Sequence, residues 1–110
     1  LIPERRYDNI CHIADATLIL HRKRQFDDGS IAELKLWRVP TPVRGSTHSF
    51  RYSLFFGRPG ERWVGYDNEA GKGDHRHYGQ REEAYLFTTP EKLLADFLGD
   101  VARIAPGVTI

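Results

Sequence analysis

One run of twelve residues concentrates the groups that could do chemistry: Tyr66-Asp67-Asn68-Glu69-Ala70-Gly71-Lys72-Gly73-Asp74-His75-Arg76-His77. It holds carboxylates, an amide, two cations and two imidazoles, and no large aliphatic side chain. A hydrophobic core cannot absorb such a run, because a buried charge is costly unless it is paired. The two histidines supply groups that exchange protons near neutral pH. Gly71 and Gly73 let the backbone approach a ligand closely or adopt positive φ.

One chemistry this set could supply is metal-independent cleavage of a phosphodiester beside a 2′-hydroxyl. A 2′-hydroxyl must lose a proton, a phosphorane must be stabilised and a leaving oxygen must gain a proton. His75 and His77 could serve as base and acid, in either assignment. Lys72 and Arg76 could hold the phosphate, and Asp67 or Asp74 could orient an imidazole. Tyr66 could stack on a base. Asn68, Arg51 and His48 complete the candidate substrate-binding set. The reading needs no cofactor. A divalent metal is an alternative, with His75 and His77 on one side of an extended segment and Asp67, Asp74 or His48 completing the ligands. Lys72 and Arg76 weigh against a dication there. A third reading makes the run a non-catalytic surface that binds a protein partner or nucleic acid.

The elements that must position this run are legible around it. Residues 17–26 and 31–39 read as strands joined by Asp27-Asp28-Gly29-Ser30, a hairpin signal. Ala32, Leu34 and Leu36 alternate with Glu33, Lys35 and Trp37, until Pro40 and Pro42 end the strand. Phe50, Tyr52, Leu54 and Phe56 share one face of the next strand. Gly57-Arg58-Pro59-Gly60 turns into Glu61–Tyr66, where either Trp63 or Val64 should be exposed. Tyr66–His77 then reads as a loop and Ala84–Phe87 as a short last strand. Thr89 and Pro90 start a helix over 90–104. Its expected apolar stripe is Leu93, Leu94, Phe97, Leu98, Val101 and Ile104, with Lys92, Asp96, Asp100 and Arg103 outward. The expected architecture is a single α+β domain, residues 15–110: an antiparallel β-sheet of four or five strands with a C-terminal α-helix packed on one face. Residues 1–14 lack periodicity and read as an N-terminal extension.

Composition bounds the rest. The 110 residues fit one core, and 40% hydrophobic with 12% aromatic content supports a globular fold. No apolar run is long enough to span a membrane. No apolar signal core is evident near the start, and the lone Cys11 forms no internal disulfide, so a reducing cytoplasm is expected. Cys11 has no visible activating partner. The net charge is +1, with cations in excess before residue 60 and acids after it. His21-Arg22-Lys23-Arg24 is the densest basic run and reads as a solvated strand face or a phosphate contact. Glu82-Glu83 reads as a solvated pair balancing the cations.

From about Ala16 to Ile104 the chain resembles the TumE family, small bacterial toxins of toxin–antitoxin pairs. The resemblance runs through Leu20-His21-Arg22, Asp28-Gly29, Leu36-Trp37, Gly45-Ser46-Thr47-His48, Arg51-Tyr52, Gly65-Tyr66-Asp67-Asn68, Gly71-Lys72-Gly73-Asp74-His75-Arg76-His77, Glu82-Glu83 and the helix from Phe87 to Asp100. The Tyr-Asp-Asn and Gly-Asp-His-Arg-His blocks are its specific part. It implies a toxin restrained by an adjacently encoded antitoxin protein. It assigns no catalytic residue. RNA as the substrate follows by analogy with other small toxins.

Overall fold

Period-two alternation becomes a single antiparallel meander in the computed structural model, which describes residues 15–110. The strands are β1 (Thr17–Gln25), β2 (Ile31–Arg38), β3 (Phe50–Arg58), β4 (Glu61–Asp67), β5 (His75–Tyr78) and β6 (Arg81–Ala84), and they lie side by side in sequence order. The helix α1 spans Pro90–Ile104. The class is α+β with one sheet and one C-terminal helix among the described residues, but the sheet has six strands rather than four or five. The residues expected to form one polar loop contribute β5, and the last strand falls at Arg81–Ala84 rather than Ala84–Phe87. The reason is composition. Strands β5 and β6 read His-Arg-His-Tyr and Arg-Glu-Glu-Ala, with no aliphatic alternation to announce them. The backbone ladder from β4 makes them strands.

The first hairpin forms as its sequence requires. Gly29 takes φ 88°, and the Asp28 carboxylate accepts from the Ser30 amide at 2.9 Å and from its hydroxyl at 2.6 Å. Ala32, Leu34 and Leu36 then share a face with Tyr52, Leu54, Phe56, Val64 and Tyr66, all buried. Helix α1 closes that face with Leu93, Phe97 and Val101. Thr89 caps it, its hydroxyl accepting from the Lys92 amide at 3.1 Å, and Pro90 occupies the first turn. Val64 is the buried member of its pair, and Trp63 is half-buried against Phe56.

The helix is rotated from its expected setting. Leu98 and Ile104 are exposed, whereas Asp100 is buried. Asp100 can sit inside because its carboxylate accepts from the Tyr66 hydroxyl, from Tyr78 at 2.8 Å and from Arg103. A carboxylate with those partners is no longer an unpaired buried charge. Beyond the helix the chain returns over β1, where an Arg22 guanidinium nitrogen donates to the Ile110 carbonyl at 2.8 Å. The expected extension, Leu1 to Ala14, and Cys11 with it, lie outside the described residues.

Candidate functional site

Among the described residues the opposite face of the sheet carries no helix, and the reactive side chains gather there. Strand pairing sets Asp67 opposite His75 and Gly65 opposite His77. Alternation therefore sends Asp67, His75 and His77 to the open face, while Tyr66, Arg76 and Tyr78 point to the helix side. His75 and His77 are only 6% and 8% exposed, so these imidazoles are built into the sheet and are not surface decoration. Their rings meet edge to face, with centroids 4.9 Å apart.

Both Nε2 atoms aim at one carboxylate. His75 Nε2 lies 3.4 Å from Asp67 Oδ1, and His77 Nε2 lies 3.6 Å from Asp67 Oδ2. Glu82, from β6, brings Oε2 to 3.3 Å from His75 Nε2. The far side of each ring is also specified. His75 Nδ1–H donates to the Gly73 carbonyl at 2.9 Å, so its Nε2 is the free nitrogen of the neutral ring. Arg62, which can only donate, reaches His77 Nδ1 at 2.9 Å and leaves the proton of that ring on Nε2. Burial, and after it the Arg62 guanidinium, depress the pKa of His77. A hydrogen bond from Lys72, whose Nζ lies 2.9 Å from Glu82 Oε2, lowers the pKa of Glu82.

Two glycines make this geometry accessible. Gly65 has no side chain, and a Cβ there would collide with Arg62 Cδ, so Arg62 can lie across β4 to reach His77. Gly45 has φ 90°, and a Cβ on it would strike the Gly73 backbone nitrogen. The close approach of these two loops holds the Gly73 carbonyl under His75. An open hollow of about 330 Å³ adjoins the cluster, lined in part by Lys72, His75 and Glu82.

Other candidates from the sequence go elsewhere. Asp74 faces away from the histidine pair and accepts from Ser46 Oγ at 2.5 Å, His48 Nε2 at 2.6 Å and Tyr52 Oη at 2.7 Å. His48 also stacks on Phe87 at 3.8 Å, and its Nδ1 accepts from the Phe50 amide at 3.2 Å. Asn68 is fully buried. Its Oδ1 accepts from the Tyr52 amide at 3.0 Å, and its Nδ2 donates to the Phe50 carbonyl at 2.8 Å. These three residues tie the 45–50 loop to β3 and β5.

Arg76 sits on the helix side within 6 Å of the Tyr66, Tyr78 and Tyr85 rings, and its Nε donates to Glu83 at 2.8 Å. Tyr66 is buried with it, its hydroxyl on Asp100. Arg51 does share the open face, but beside Trp37, where it pairs with Glu69 at 3.0 Å. Lys72 alone of the expected phosphate cations stands at the cluster. Sequence reading missed Arg62 altogether and treated Glu82 as solvated surface. Neither gave a signal in the sequence, because no apolar alternation marks β6 and the approach of Arg62 depends on the bare backbone of Gly65.

The fold and this face define a small α+β domain with a built-in His-His-carboxylate cluster on the sheet face opposite its C-terminal helix. The family model described as Toxin TumE matches residues 12–105, and the chain belongs to that toxin family. No curated protein and no solved structure matches it. Among the described residues no helix is long and apolar enough to cross a membrane.

Proposed function

We propose that this toxin is a ribonuclease that cleaves RNA phosphodiester bonds at the open-face cluster of Asp67, His75, His77 and Glu82, in the cytoplasm, under the control of a cognate antitoxin protein. The observation that carries the reading is the convergence of both buried imidazoles on Asp67, on the sheet face opposite helix α1. Burying two histidines and a carboxylate together gains a core nothing, so the arrangement is explained by use. The cluster supplies the groups that activate the attacking hydroxyl. Arg62 and Lys72, both exposed at their ends, are the cations placed to meet the phosphate oxygens. Arg51 and Trp37 lie further along the same face, where a neighbouring nucleotide would stack.

The test has two parts. Induced expression of the chain should arrest growth, and co-expression of the neighbouring gene's product should relieve the arrest. Purified chain should degrade RNA, and His75→Ala or His77→Ala should lower that rate by about 10²–10⁴ while the fold persists. Unimpaired growth at every expression level would remove the toxin mechanism. Arrest with intact cellular RNA would remove the ribonuclease.

A further inference from the structure

The same cluster poses a problem for two free imidazoles acting alone. A phosphate approaching either Nε2 meets Asp67 first, and Glu82 stands over His75. Two carboxylates at the point of convergence repel an anion and attract a cation. The sequence argument against a dication rested on Lys72 and Arg76. Strand alternation removes Arg76 to the other face, and β6 brings a second carboxylate, Glu82, beside His75.

We propose that Asp67, His75 and His77 bind one divalent ion of the Zn²⁺ type, through the two Nε2 atoms and the Asp67 carboxylate, with Glu82 beside His75 at the edge of the set. A tetrahedral ion with ligand bonds of about 2.0–2.1 Å sets its donors about 3.3 Å apart. His75 Nε2 and His77 Nε2 stand 3.4 and 3.6 Å from the two oxygens of the Asp67 carboxylate. One donor atom from each of Asp67, His75 and His77 lies within 4.8 Å of the others. Two imidazoles with a carboxylate are the donor set of Zn²⁺ and its first-row neighbours rather than of Ca²⁺ or Mg²⁺.

The outer contacts agree. His75 is more than nine-tenths buried, and its Nδ1–H is given to the Gly73 carbonyl, the arrangement that turns a histidine Nε2 lone pair toward a metal. His77 and Glu82 are instead held by two protein cations, Arg62 at Nδ1 and Lys72 at the carboxylate. Both cations lie on exposed side chains that can swing away. When the ion binds, the proton of His77 moves through solvent to Nδ1, and Arg62 withdraws. Arg62 and Lys72 are then free to face the phosphate. Arg62 therefore competes with the ion, and replacing it with a residue that accepts from Nδ1–H should strengthen binding.

The inference concerns the site of the proposed ribonuclease and rests on that reading for its role in the reaction. Its test contains no RNA. Chelator-treated full-length chain is titrated with Co²⁺ alone, read by the visible bands of a tetrahedral ion, and with Zn²⁺ alone, read by calorimetry. Wild type should bind one ion. Asp67→Asn and His77→Gln, with circular dichroism confirming the fold, should each weaken binding by at least the roughly 10–100-fold that loss of an outer partner costs. Arg62→Gln should tighten it. Equal Zn²⁺ affinity in wild type, Asp67→Asn and His77→Gln would overturn the site, and so would weaker binding in Arg62→Gln. RNA added afterwards separates the two readings. A metal-loaded chain that leaves RNA intact removes the ribonuclease alone. Cleavage that persists without bound metal keeps the ribonuclease and overturns the metal's role in its reaction.

Discussion

Asp74→Ala tests the division of labour within the Asp-His-Arg-His segment. Asp74 neighbours His75 in sequence, yet its carboxylate accepts from Ser46, His48 and Tyr52. Tyr52 is fully buried, and burial, reinforced by the Asp74 charge, pushes its phenol pKa far up, so it remains a donor at every pH of interest. Truncating Asp74 strands that hydroxyl in the core, at about 1–3 kcal/mol. It also strips a charged acceptor from half-buried His48 and from Ser46, at about 1–2 kcal/mol together. The expected loss is about 2–5 kcal/mol, or roughly 8–20 °C in Tm for a chain of this size.

Urea unfolding at pH 7 measures the loss. Tyr52→Phe supplies the second arm of a double-mutant cycle, and the pair should fall short of additivity by at least about 1 kcal/mol. RNA cleavage per folded molecule should stay near wild type in Asp74→Ala. A loss below about 1 kcal/mol, strict additivity, or inactive but stable protein would refute the assignment of Asp74 to the scaffold.

Three further outcomes follow from the same coordinates. Phe97→Ala removes a fully buried ring that meets Tyr66 edge-on, and urea titration should show a loss of about 3–5 kcal/mol. Arg76→Gln should lower Tm, because it breaks the Glu83 pair and the contacts to three tyrosines, yet Zn²⁺ affinity by calorimetry should stay within about twofold of wild type, since the side chain lies across the sheet from the cluster. Gly45→Ala should destabilise by at least about 1 kcal/mol in a thermal melt, because the position has positive φ and the new Cβ meets the Gly73 backbone.

Much of the scaffold was readable because it rests on local rules. Alternation at Ala32–Leu36 and Phe50–Phe56 names the buried face of two strands, and Asp28-Gly29 and Thr89-Pro90 mark a turn and a helix start. The four-residue strands β5 and β6 were not readable, since no apolar alternation marks them and the neighbouring β4 ladder imposes their conformation. Asp100 shows the same limit in the helix: its spacing reads as an outward acid, and only the Tyr66 and Tyr78 hydroxyls arriving from β4 and β5 make its burial tolerable.

For the candidate site, residue types alone singled out the segment and the pair His75 and His77, because so dense a mixture of imidazole, carboxylate and cation has no place in a core. Which neighbours those histidines keep was decided by tertiary structure. A segment read as a loop leaves every side chain free to converge. The same segment as a strand sends consecutive side chains to opposite faces, so His75 and His77 part from Asp74 and Arg76. Register then brings Asp67 from β4 and Glu82 from β6, and a glycine at position 65 admits Arg62. Composition carried the chemistry that is present, whereas pairing between strands distant in sequence set which groups meet, and no local pattern encodes that pairing.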